Sequence, residues 1–200
     1  MGLEPHNGGS EEKVPRPPQF SDLSRICGEL NRLGARYVVI GGFAIIHHGF
    51  PRLTHDIDLL IETTPENEAR VIEALLILPD KAASELKPGE VAEYGVVRIG
   101  DEVLVDLMKS GCGITYHDAI KDAVVVSMDG VQVPFASAST LWRMKQTPRE
   151  KDEPDRLFLR ELLVSQGIDI PSRPPAREDP VTRWLSRLQG WWLRRRWGKD

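Results

Sequence analysis

Three carboxylates and a pair of glycines are the residues of this 200-residue chain whose types and spacing point to chemistry. Asp56 and Asp58 head the run Asp56-Ile57-Asp58-Leu59-Leu60-Ile61, whose short, branched apolar stretch predicts a strand buried on at least one face. Side chains two residues apart leave a strand on the same side, about 6.6 Å from one another, so both acids face one volume. Two anions placed in this way repel and resist ionisation, and a divalent cation removes the conflict. Mg²⁺ takes oxygen ligands and is commonly held by one or two carboxylates together with substrate phosphates. Asp106, a single acid inside the apolar run Val103-Leu104-Val105-Asp106-Leu107-Met108, is the candidate third ligand, because an unpaired carboxylate is costly to bury.

Thirteen residues separate Gly41-Gly42 from Asp56. Tyr37-Val38-Val39-Ile40 reads as a strand and Phe43-Ala44-Ile45-Ile46-His47-His48 as the start of a helix, which puts the glycines at a strand-to-helix turn. Backbone amides at a helix N-terminus attract anions, and glycine lets a phosphate come close. Each feature has a plainer reading. A Gly-Gly pair is also a simple tight turn. Asp-x-Asp also occurs in metal-dependent glycosyltransferases, exposed edge strands and calcium loops, and Asp106 by itself could be a salt-bridge partner.

Taken together, hydrophobic-Gly-Gly, thirteen residues, Asp-Ile-Asp and a later hydrophobic-Asp strand resemble the nucleotidyltransferase superfamily with the DNA polymerase beta-like catalytic fold. Within it, Arg52-Leu53-Thr54-His55-Asp56-Ile57-Asp58-Leu59 is similar to the stretch found in AbiEii-type toxin nucleotidyltransferases and their relatives. Their downstream segment is matched by Val133-Pro134-Phe135-Ala136-Ser137, Leu141-Trp142-Arg143-Met144-Lys145, and then Arg149, Lys151-Asp152 and Asp155, so that the resemblance covers about residues 20 to 167.

The resemblance implies an α+β fold, a mixed sheet flanked by helices with further helices at the C-terminal end. It implies that Asp56, Asp58 and Asp106 are catalytic and hold two Mg²⁺ ions with an NTP such as ATP, activating an acceptor hydroxyl for in-line attack at the α-phosphorus. Gly41 and Gly42 would cradle the outer phosphates, with Arg52, Thr54 and Lys145 completing the nucleotide site. Many members carry Gly-Ser where this chain has Gly41-Gly42, so backbone amides alone would make that contact. Lys145 equally fits a solvated helix position. The implied acceptor is a hydroxyl on RNA, such as tRNA, or on protein, and the implied setting is a toxin with an antitoxin or other protein partner. The alternative is a catalytically inactive nucleotide-binding or protein-interaction module of the same fold. His47 and His48 read as helix surface and loop packing, because magnesium prefers oxygen and no Cys/His spacing suits zinc.

Composition fits one domain with tails: 40% hydrophobic residues and 26 basic against 30 acidic side chains, a net charge of −4 that advertises no nucleic-acid coat. Cys27 and Cys112 suggest neither a disulfide framework nor a metal motif, as in a reducing cytoplasm. No apolar run approaches membrane-spanning length and no leader-like segment opens the chain, so a soluble cytoplasmic protein is expected.

The elements that must position the site follow from the punctuation. Residues 1–19, with Asn7-Gly8-Gly9-Ser10 and Pro15-Arg16-Pro17-Pro18, read as a disordered segment. Residues 20–170 form the expected domain. Leu23, Ile26, Cys27, Leu30 and Leu33 predict a helix ended by Gly34, and Thr64-Pro65 opens another, closed at Pro79-Asp80. Strands at Val96–Ile99 and Val103–Leu107 around Gly100-Asp101-Glu102 predict a hairpin that carries Asp106 to the acidic pair. A second hairpin turns at Asp129-Gly130, and helices begin near Ser139 and Lys151. Residues 171–200 read as a Pro-rich linker and a basic tail with Trp184, Trp191, Trp192 and Trp197, suited to RNA, an anionic membrane surface, or docking on protein.

Overall fold

The structure is a computed structural model that describes residues 14–168 and 170. The first thirteen residues of the expected N-terminal segment and the whole expected Trp-rich tail lie outside the described residues. Residues 14–19 lie against the domain: Arg16 forks onto Asp22, pairs with Glu102, and donates its backbone N–H to the Glu102 carbonyl, while Pro18 is buried.

The helical spacing read at the start of the domain forms α1 (Phe20–Arg32), where Leu23, Ile26, Cys27 and Leu30 are fully buried. Gly34, at φ +64°, ends it in the left-handed region that glycine tolerates. β1 (Tyr37–Val39) leads into α2 (Gly41–His47), and the chain returns through β2 (Asp56–Ile61). Thr64 caps α3 (Pro65–Leu75) by accepting the N–H of Asn67, with Pro65 at the first helical position.

A short helix, α4 (Glu90–Tyr94), precedes the hairpin of β3 (Val96–Gly100) and β4 (Leu104–Met108). Its start is capped from a distance, since the buried carboxylate of Glu68 accepts the N–H groups of Gly89, Val91 and Ala92. A two-stranded ribbon, β5 (Ser110–Gly111) and β6 (Ile114–Thr115), and the single turn α5 (Tyr116–Ala119) follow. The second expected hairpin is β7 (Val124–Met128) and β8 (Val131–Phe135), and α6 (Ala138–Met144) and α7 (Glu153–Ser165) complete the described chain.

Six strands form one mixed sheet in the order β3-β4-β2-β1-β8-β7. β2 runs antiparallel to β1 and parallel to β4, and β4 is antiparallel to β3. Helices flank this sheet, α1 packing on α3 and β8, and α2 on β2 and α6, which in turn meets α7. The architecture is therefore α+β. β2 lies near the middle of the sheet, and Ile57, Leu59, Leu60 and Ile61 are all buried. Polar side chains on such a strand are tolerated only where the sheet opens to solvent, and Asp56 and Asp58 occupy its first and third positions, both half-buried. No helix among the described residues is long and apolar enough to cross a membrane.

Candidate active site

Sheet register brings the three predicted acids together. Asp58 on β2 is the direct partner of Asp106 on the parallel neighbour β4, and Asp56 lies two residues before Asp58 on the same face. One carboxylate oxygen from each of the three lies within 4.8 Å of the others. The cost of this crowding falls on Asp58. Burial, and after it the charges of Asp56 and Asp106, push its carboxyl up to about 6 from the ordinary 3.8, against Lys145 and the Gly42 N–H, which favour the anion.

The glycines form the first turn of α2, one step further into the helix than the sequence suggests. Gly41 sits at φ +62°, and a Cβ there would overlap the Asp58 carboxylate; a Cβ on Gly42 would overlap the Thr54 hydroxyl. Backbone and carboxylate therefore touch directly, which only an unsubstituted residue permits. Thr54 donates its hydroxyl to the Asp56 carbonyl, and it is the one predicted nucleotide-site residue that does not line the cavity beside the triad.

That cavity, of about 410 Å³, gathers Gly41, Gly42, Arg52, Asp56, Asp58, Asp106 and Lys145 in one wall system. Lys145 is no solvated helix position. Its ammonium lies 2.8 Å from Asp152 and 3.0 Å from Asp155, and Arg52 pairs with the same Asp155. Asp152 and Asp155 are 4% and 1% exposed, so the two cations are held by buried anions. Burial pushes the Asp152 carboxyl up, but hydrogen bonds from Lys145 and Thr147 outweigh it and hold the group below its ordinary value. The downstream acids are thus anchors for the cations that face the cavity, with Arg149 and Lys151 also on its rim.

Several lining residues escaped the sequence reading, Arg98 and Cys112 among them. Arg98 on β3 is the register partner of Asp106, and its guanidinium forks onto that carboxylate, Nε to Oδ1 and Nη2 to Oδ2, both at 2.7 Å. The same Nη2 also donates to Asp56 at 3.1 Å. Period-two counting back from the hairpin turn was the available signal. Cys112, at φ +49°, lines the cavity and donates its thiol to the Met144 carbonyl at 3.1 Å; a cysteine in a two-strand ribbon leaves no pattern to read. His47 stacks on Phe135, ring centroids 4.5 Å apart, and His48 Nε2 lies 2.8 Å from the Ala136 carbonyl, so both histidines are packing groups.

No family model and no curated protein matches the chain. Among solved structures it is similar to an antigenic nucleotidyltransferase-like protein from Paracoccidioides brasiliensis, at 16% identity over 86% of this chain and 87% of that one, with a TM-score of 0.46. It is also similar to a candidate nucleotidyltransferase from Thermotoga maritima, at 15% identity over 89% and 99% with a TM-score of 0.43. A third similarity is to the antibiotic-resistance factor ANT(2'')-Ia, at 15% identity over 88% and 95% with a TM-score of 0.44.

Proposed function

We propose that this chain is a metal-dependent nucleotidyltransferase, which moves a nucleoside monophosphate from an NTP to a hydroxyl acceptor and releases pyrophosphate. The observation that carries the reading is one cavity lined at once by three carboxylates on neighbouring strands, a glycine helix start, and two cations pinned by buried acids. The donor set fits Mg²⁺: three carboxylates, all oxygen, close enough to share an ion, in a place where burial and then their mutual repulsion already raise Asp58. Asp56, Asp58 and Asp106 would hold the metal. When bound, Mg²⁺ supplies neutralisation of phosphate charge and a lowered pKa for an acceptor hydroxyl.

The protein's own groups do the positioning. Gly41 and Gly42 line the cavity at the first turn of α2 with backbone alone, so an approaching phosphate would meet no side chain of theirs. Lys145 and Arg52 meet a polyanion with little loss of side-chain freedom, because Asp152 and Asp155 already hold them. On the resemblance of Arg52–Leu59, the reading extends to an acceptor on RNA, such as tRNA, or on protein, and to a cytoplasmic toxin with an antitoxin partner.

A second reading, a binding module without turnover, is favoured by one observation: Arg98 already neutralises Asp106 and Asp56 from within the chain. Transfer of label from each of the four α-labelled NTPs into a cell lysate with Mg²⁺ separates the two. Label entering RNA or protein with the wild type, and lost with Asp56→Ala/Asp58→Ala, is the expected result. Full transfer by Asp58→Asn would overturn the enzyme reading, and nucleotide binding independent of Mg²⁺ with no product would support the module.

A further inference from the structure

Arg98, Asp106 and Asp58 form one row across three hydrogen-bonded strands, β3, β4 and β2. Register partners share a sheet face, so the guanidinium is delivered to the triad by the backbone itself. It takes both oxygens of Asp106 and one of Asp56, the two acids on either side of Asp58. Arginine stays protonated throughout the working pH range, so this internal cation cannot be removed by titration. It can be removed by exchange, since Arg98 stands 56% exposed on the edge strand and its long side chain reaches solvent once the bonds to Asp106 and Asp56 break. The cavity lining carries five basic residues, Arg52, Arg98, Lys145, Arg149 and Lys151, against four acids, Asp56, Asp58, Asp106 and Asp152. With that near balance, a dication entering alone displaces Arg98 from both acids into solvent with no new anionic partner in the cavity lining. A triphosphate arriving with the dication provides the missing anion.

We propose that Arg98 is a positioning residue that acts as an exchangeable counter-ion: it guards the carboxylate triad against free divalent metal and yields Asp106 and Asp56 only when metal arrives with a nucleotide triphosphate, whose phosphate oxygens then take the released guanidinium. This rests on the transferase reading above and adds an order to it, in which nucleotide and metal bind as one unit. The geometry supplies the reason. A forked ion pair on a carboxylate makes charge-assisted bonds in a fixed orientation, and a competing cation has to break them.

The test is titration with Mn²⁺, followed by electron paramagnetic resonance, of wild type, Arg98→Gln and Arg98→Lys, with and without the α,β-methylene analogues of the four NTPs. Without nucleotide, Arg98→Gln is expected to bind Mn²⁺ about tenfold tighter than wild type, the equivalent of one charge-assisted hydrogen bond. Arg98→Lys, which keeps the charge and loses the fork, should fall between them. With an analogue present, wild type should gain most in Mn²⁺ affinity and Arg98→Gln least. Equal or weaker Mn²⁺ binding by Arg98→Gln overturns the counter-ion role, and if wild type still binds Mn²⁺ with an analogue while Asp58→Asn does not, the transferase reading survives that result. No saturable Mn²⁺ binding by any of the proteins under either condition overturns both.

Discussion

Gly41 and Asp58 are packed so closely that the glycine has no room for a Cβ beside the carboxylate, and its φ of +62° excludes most other residues independently. The glycine pair is therefore the seat of Asp58 in addition to its proposed part in holding phosphate. Gly41→Ala is expected to cost about 2 kcal/mol of stability from the left-handed backbone alone. By moving Asp58 it should also weaken Mn²⁺ binding by about tenfold or more, the scale for groups that orient a metal ligand. Denaturant unfolding and Mn²⁺ titration check the two parts, and an unchanged Mn²⁺ affinity would separate Gly41 from the acidic site.

The pH dependence follows from Asp58. Its folded carboxyl, at about 6, lies above the ordinary 3.8 of the unfolded chain. Between those values the folded state keeps a proton that the unfolded state has released, so stability from this group is full below about pH 4 and declines until about pH 6. Asp58→Asn removes the penalty and should make the metal-free protein more stable above pH 6, by about 1–3 kcal/mol. Metal must expel the same proton, so Mn²⁺ affinity should climb with pH up to about 6 and then level. Thermal unfolding and metal titration at several pH values decide the matter, and an Asn variant less stable than wild type at pH 8 would contradict it.

Asp155 anchors both Arg52 and Lys145, the cations on the cavity wall, from a position that is 1% exposed. Asp155→Asn leaves Arg52 and Lys145 without their shared anion and is expected to destabilise the fold by about 3 kcal/mol. In assays at a temperature where the variant remains folded, KM for the NTP should rise more than kcat falls, because the cations are loosened rather than removed. A variant with ordinary KM would assign the pair to stability alone.

Thr64→Ala provides a contrast away from the cavity. Loss of the cap on Asn67 N–H should cost about 1 kcal/mol of stability. Mn²⁺ affinity and transfer should be unaffected. A change in either would mean that α3 is coupled to the triad in a way its packing on α1 does not suggest.

What could be read without coordinates was local. The helical spacing of Leu23, Ile26, Cys27 and Leu30, the cap at Thr64-Pro65, the strand at Asp56–Ile61 and the convergence of Asp56 with Asp58 all follow from periodicities of a few residues, which backbone geometry imposes wherever the chain lies. What needed the tertiary structure was register and long-range pairing. A loop over Gly100-Asp101-Glu102 would set Arg98 opposite Leu104. The hairpin instead closes one residue later, because the carboxylate of buried Asp101 is held in the loop by the N–H groups of Asp80, Ala82 and Glu102, and this sets Arg98 opposite Asp106. Likewise, Lys145 and Arg52 are joined through Asp152 and Asp155 only once α6 and α7 pack together. The acids, the glycines and the elements that carry them follow from residue types and spacing alone. Which cations those acids hold is settled in the folded chain, because the partner opposite a side chain depends on strand register and helix packing, which no local periodicity encodes.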